Sequence, residues 1–202
     1  RMIHEDVLRA GPALAGQARR VASDARQLVS TPTAVNLVIT SPPYLNGTNY
    51  CRNTKLELLA LGLIEQEQDL AALRTDSITA GINNVSRRRS EPDFIEAVEE
   101  TAAKLDQVAY DQRIPRLVRL YFADMRLVFR AVRAQVNPGT RFALDIGDSR
   151  FAGVHVPTPA LLAEVASGEG WKLESTRVLR TRRSYDGTPL EQVLLNFSSV
   201  AS

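Results

Sequence analysis

Along the chain the hydrophobic positions change period several times, and each change predicts an element. Val7, Leu8, Leu14 and Ala18 fall on a helical spacing broken by Gly11-Pro12, so two short helical pieces are predicted before residue 20. Residues 20–26 read as a short strand running into a loop at Asp24. Val35, Leu37, Val38 and Ile39 form a compact apolar run that predicts a short buried strand over 35–39. Asn46-Gly47 marks a turn, and the leucines from Leu56 to Leu63 predict a helix ending near Gly62.

Residues 65–114 differ in kind. They are Glu/Gln-rich, then carry Arg87-Arg88-Arg89, then an acidic helix around Glu96, Glu99 and Glu100, which predicts a helical insertion on an α/β core. Leu117, Leu120, Tyr121, Met125, Val128, Phe129 and Val132 recur at spacings of three and four. They predict a long amphipathic helix over 115–136, opened by Pro115 and stopped by Asn137-Pro138-Gly139. Residues 141–149 read as a buried strand with the polar tip Gly147-Asp148-Ser149. Thr158-Pro159 opens a helix through Ala166, with threonine as the cap, and Gly168 and Gly170 end it. Residues 172–180 and 190–197 read as an antiparallel pair joined through the basic loop Arg180-Thr181-Arg182-Arg183-Ser184-Tyr185.

The chemistry concentrates where strand 35–39 ends in Thr40-Ser41-Pro42-Pro43-Tyr44. Proline lacks an N–H and pushes the residue before it toward extended geometry, so Ser41 and Pro42 form a stiff tip that presents its carbonyls and a hydroxyl. In an open α/β sheet, ligands bind outside the carboxyl ends of the strands, so this tip suits a planar, amine-bearing group. Tyr44 can stack on such a group, while Ser41 Oγ and the Pro42 carbonyl accept from its amine. A base in a duplex becomes reachable only after flipping, and stacking partly offsets that cost. A Pro-Pro turn without chemistry is the structural alternative.

Composition adds bounds. The 202 residues suit one domain; 44% hydrophobic and 24% charged content is ordinary for a globular protein. A formal net charge of +2 permits nucleic-acid contact without demanding it. Cys51 is the one cysteine, so no internal disulfide is expected, and with only His4 and His155 no metal cluster is expected either. With no signal pattern at the start and no long apolar run, a reducing, cytoplasmic compartment and no membrane are expected.

Ser41-Pro42-Pro43-Tyr44, continued by Leu45-Asn46, Arg52 and the Lys55-Leu56-Glu57-Leu58 helix, resembles the catalytic motif of the S-adenosylmethionine-dependent amino-methyltransferases of DNA. The serine form is most similar to the N4-cytosine enzymes. The resemblance implies a Rossmann-like methyltransferase sheet and a catalytic set of Ser41, Pro42, Pro43 and Tyr44. It also implies S-adenosyl-L-methionine as cofactor, touched by Asp24, Thr40 and Ser41, and DNA as substrate. Asn46, Tyr50, Arg52, Lys55, Asp148, Arg180, Arg182 and Arg183 are the expected contacts to the target base or DNA, with direct methyl transfer and no cysteine nucleophile. A restriction-modification or phage-defence setting follows from the same resemblance.

The resemblance covers the later portion of that family only. No glycine-rich turn follows a strand, and no acidic residue closes a second strand to hold a ribose. The expected fold is therefore α/β with its first strands missing, a helical insertion over 65–114 and a C-terminal antiparallel hairpin. Strand 35–39 would keep an unpaired edge, so a preceding segment or a second polypeptide is expected to supply the glycine-rich motif. Two other functions stay open: an inactive methyltransferase-like subunit that binds DNA or a partner, and methylation of RNA or a protein amide.

Overall fold

The structure is a computed structural model that describes residues 5, 8, 9, 20–22, 24–28, 35–85, 95–184 and 186–201. Most of the helical stretch expected before residue 20, Arg87-Arg88-Arg89 and Tyr185 lie outside the described residues. Strand β1 (Val35–Thr40) is followed by α1 (Tyr50–Asn53), α2 (Lys55–Ala60), α3 (Asp69–Asp76), α4 (Glu96–Val108) and α5 (Arg113–Arg133). The chain then forms β2 (Val136–Gly147), a small ladder of β3 (Ser149–Phe151) with β4 (Val154–Val156), α6 (Thr158–Gly168), β5 (Trp171–Arg183) and β6 (Pro189–Ser199). The main sheet has the order β1-β2-β6-β5, with β1 parallel to β2 and the other neighbours antiparallel. The class is mixed α/β.

Alternation along the strands sends their side chains to two faces. One face supplies Phe142, Leu144, Ile146, Val193, Leu195 and Phe197 to the core, which α5 fills with Leu117, Tyr121, Met125 and Phe129 and α6 with Leu162, Val165 and Ala166. Trp171 closes it: its ring meets Phe142 edge-on with centroids 5.0 Å apart, and its indole N–H donates to the Phe129 carbonyl at 3.1 Å. The segment read as an insertion joins the same core through Val98, Ala102 and Leu105 of α4.

The second face carries Leu37 and Ile39 on β1, Ala143 and Asp145 on β2, and Gln192, Leu194 and Asn196 on β6. Residues paired across a ladder share a face, so Arg177, Arg180 and Arg182 of β5, opposite Leu194, Gln192 and Leu190, belong to it too. From Ala143 onward this face is half-buried at β2 and at β6, apart from buried Gly147 and Leu190, and it is exposed at Arg141 and along β5.

Several sequence expectations are corrected. The strand over 35–39 is not buried: Leu37 is 49% and Ile39 74% exposed, because β1 has one strand neighbour among the described residues and its side chains point to the open face. No strand forms among the described residues of 20–26. Asp24 Oδ1 accepts from the Arg26 backbone N–H at 2.9 Å and the Asp24 carbonyl from Gln27 N–H at 3.1 Å, which turns the chain.

Helix α5 ends at Arg133 and β2 begins at Val136, because Val136 pairs with Val35 and Pro138 holds Asn137 extended. Thr158 is not a cap. Its hydroxyl turns back to the Val156 carbonyl at 3.2 Å, and Pro157 precedes the helix. Arg180, Arg182 and Arg183 lie on β5 rather than in a loop, since the ladder with β6 continues to Arg183 opposite Pro189, and the Ser184 N–H meets the Thr188 carbonyl at 2.9 Å just beyond it.

Candidate active site

Because β1 and β2 are parallel, their carboxyl ends lie side by side, with Thr40 opposite Leu144. The chain leaves β1 without regular structure through Ser41-Pro42-Pro43-Tyr44; Ser41 is exposed, Pro42 is buried and Leu45 is sunk completely into the core. The motif is thus stretched between a strand end and a core anchor.

Tyr44 is fixed from several sides. Its backbone N–H donates to the Tyr50 hydroxyl at 2.9 Å, and its own hydroxyl donates to Asp145 Oδ1 at 3.0 Å. Gln192 Nε2 holds the same carboxylate through both oxygens, at 2.9 and 3.0 Å. The ring lies against Gly147, where a Cβ would come within 3.2 Å of Tyr44 Cε2 and 3.4 Å of the Glu191 carbonyl, so a side chain there would displace the ring. Burial, then the bond to Asp145, pushes the phenol from 10.0 up to about 12, while a hydrogen bond with the Ser41 side chain acts in the opposite sense. At neutral pH Tyr44 is therefore an uncharged ring whose proton is committed to Asp145, with Ser41 beside it.

The following loop is held by its own side chains. Asn46 Oδ1 accepts from Thr48 N–H at 3.0 Å, Gly47 takes φ +75°, and Asn49 Oδ1 caps α1 by accepting from Arg52 N–H at 3.1 Å. Gly81 lets the loop pack closely, since a Cβ there would sit 2.8 Å from the Thr48 carbonyl. Tyr50 and Arg52 remain exposed. Lys55 is engaged by Glu67 at 2.9 Å, a bond that lowers the Glu67 carboxyl below its ordinary value. Asp148 sits just beyond the carboxyl end of β2, with its N–H on the Glu191 carbonyl at 2.8 Å and its carboxylate 3.3 Å from His155 Nε2.

Asp24 belongs to a different assembly. Both its carboxylate oxygens are engaged by Arg26, whose Nη1 reaches Asp124 Oδ1 at 3.0 Å and whose Nη2 reaches the Asp76 carbonyl at 2.7 Å. Asp124 is buried on α5 and also accepts from Thr79 N–H at 2.9 Å. Arg183 donates to the Gly187 carbonyl at 3.0 Å, while Arg180 and Arg182 point to the second face.

The structure brings Ser41, Pro42, Tyr44, Tyr50 and Asp148 to one rim and ties Asp24 into the Arg26–Asp124 network instead. Sequence reading missed Asp145, Gly147 and Gln192. The signal for Asp145 was present: a carboxylate between Leu144 and Ile146 must point away from the core in an alternating strand. Gln192 offered none, because its partner is 47 positions away. Tyr121, beneath this rim on α5, is fully buried, its hydroxyl has no hydrogen-bond partner among the described residues, and burial raises its pKa. Among the described residues no cluster of His, Cys, Asp and Glu could hold a metal, and no helix is long and apolar enough to cross a membrane.

No family model matches the chain. It is 27% identical over 162 residues to the Type II methyltransferase M.AvaI of Nostoc sp. strain PCC 7120, covering 71% of this chain and 32% of that protein. The M.AvaI of Anabaena variabilis matches equally. The Type II methyltransferase M.BsoBI of Geobacillus stearothermophilus is 26% identical over 170 residues, covering 72% of this chain and 33% of that protein. The chain therefore spans about a third of the length of the curated relatives it matches, and its similarity to them is to proteins named as Type II methyltransferases.

Proposed function

We propose that this chain is the target-activating part of an S-adenosylmethionine-dependent DNA methyltransferase that modifies an exocyclic base amine, cytosine N4 in preference to adenine N6. The observation that carries this reading is the Ser41-Pro42-Pro43-Tyr44 tip at the carboxyl end of β1, with Tyr44 tied to Asp145 and seated on Gly147. The likeness to Type II methyltransferases supports it.

The residues fit the proposed cofactor at its methyl-donating end. A neutral aromatic ring and hydroxyl oxygens suit a sulfonium cation, which π-faces and lone pairs attract. When bound, that group supplies an electrophilic methyl. Ser41 Oγ and the Pro42 carbonyl accept from the target amine and leave its lone pair free to attack, while the Tyr44 ring stacks on the flipped base. Thr40 borders the same rim. Asn46, Tyr50, Arg52 and Asp148 would contact the target base or the DNA, and Asp145 with Gln192 fixes the Tyr44 hydroxyl.

A preceding segment or a second polypeptide completes the cofactor site with a glycine-rich turn. That β1 has a strand neighbour on one side only among the described residues, and that Leu37 and Ile39 are exposed, supports this, as does the greater length of the relatives. The test is methyl transfer from labelled S-adenosylmethionine to duplex DNA by the full-length protein, with the product nucleoside identified. N4-methylcytosine is expected. N6-methyladenine would overturn the base preference, and no transfer even when a glycine-rich partner is supplied would leave a DNA-binding relic.

A further inference from the structure

The register of β5 divides its arginines in a way that composition hides. Arg177, Arg180 and Arg182 pair with Leu194, Gln192 and Leu190, whereas Arg183 pairs with Pro189 on the opposite face. The shift between Val178 and Arg180 keeps Arg177 and Arg180 on one face despite their odd spacing. All three are exposed, and among the described residues none is in an ion pair. At about 3.4 Å per residue, Arg180 and Arg182 stand about 7 Å apart, the axial rise of two nucleotides on one DNA strand.

Gln192 also pairs with Gly147, on which the Tyr44 ring lies. Arg180 is therefore two strands from that ring's seat, a separation of about 10 Å at ordinary strand spacing. Asp145, two strands over on this face, is already engaged by Tyr44 and Gln192, and Glu174, on β5 itself, by Ser198 and Lys172. Toward β1 the same face carries the exposed Leu37 and Ile39, with exposed Arg141 opposite Leu37, so its two halves call for different cover. Leu37 and Ile39 suit protein; three unpaired guanidinium groups suit a polyanion.

We propose that Arg177, Arg180 and Arg182 form a DNA-backbone track on the open sheet face that leads a strand to Tyr44; this rests on the methyl-transfer reading above for the identity of the polyanion. Arg183, on the other face, takes no part.

The test is salt-dependent binding of a labelled cytosine-containing duplex by the full-length protein, read as the slope of log K against log salt. Changing all three arginines to glutamine is expected to reduce the slope by about 2.7, at about 0.9 per phosphate contact. Arg183→Gln is expected to leave it unchanged, and three lysines in place of the arginines to restore it. An unchanged slope in the glutamine variant, an equal effect from Arg183→Gln, or no restoration by lysine would overturn the track, as would wild-type protein that binds no DNA. Methyl transfer measured on the same samples separates the two ideas. Transfer with an unchanged slope removes the track alone, and a lost slope without wild-type transfer removes the methyl-transfer reading alone.

Discussion

The two faces of the main sheet are written in the same strands by alternate residues, yet they differ in what their residues answer to. On the α5/α6 face, Phe142, Leu144, Ile146, Leu195 and Phe197 are within 1% of complete burial. On the other, Asp145 and Gln192 spend their hydrogen-bonding capacity on one another and on Tyr44, and Leu37 and Ile39 stand in the open. One face answers to packing density and the other to the placement of polar groups. A single strand such as β2 serves both, so substitutions one residue apart should have unrelated consequences.

The largest expected effect lies on the packed face. Phe142→Ala removes a ring that touches Phe129, Phe197 and Trp171, and should cost about 3–5 kcal/mol of unfolding free energy in a urea titration. Ser41→Ala should do the reverse, leaving that titration unchanged while methyl transfer falls by about 10²–10³-fold, the usual cost of losing one oriented polar group at a reacting centre. If Ser41→Ala instead destabilised the protein as Phe142→Ala does, the division between the faces would fail.

Next comes the bond that orders the polar face. A double-mutant cycle of Tyr44→Phe with Asp145→Ala should give a coupling of about 0.5–1.5 kcal/mol, and additivity would show that the bond contributes nothing. Tyr44 also has a pH signature, set first by its burial and then by this bond. The Tyr44 phenol is held up to about 12 in the folded protein against 10.0 ordinarily, so its contribution to stability is complete below pH 10 and is lost as pH rises toward 12. Wild type minus Tyr44→Phe tyrosinate absorbance should show one phenol titrating late. The smallest effect is expected at Leu37→Ser, within about 0.5 kcal/mol in this chain, because an exposed residue loses little when made polar.

Much of this arrangement could be read in the sequence because its causes are local. The two prolines ended β1, the spacing from Leu117 to Val132 announced α5, and the polar tip at Asp148 marked the end of β2. What escaped depended on distance or on a neighbouring strand. Asp145 meets Tyr44 across 101 positions and Asp124 meets Arg26 across 98, separations that no periodicity encodes. The length of β5 escaped for another reason. From Lys172 onward it is exposed on both sides, so it has no hydrophobic alternation to display, and Arg180 to Arg183 read as a loop until β6 supplied backbone partners. Lys55 read as a free cation because its partner Glu67 lies on the far side of a turn.

The chain has a single tryptophan, and it is 1% exposed at the foot of β5, against Phe142. Its emission is therefore a built-in optical gauge of the packed side and is blind to the other. Ligands that settle on the open face should leave its colour and intensity alone. A spectral shift when DNA is added would mean that binding has moved the strands themselves, turning an equilibrium titration into a view of motion through the sheet.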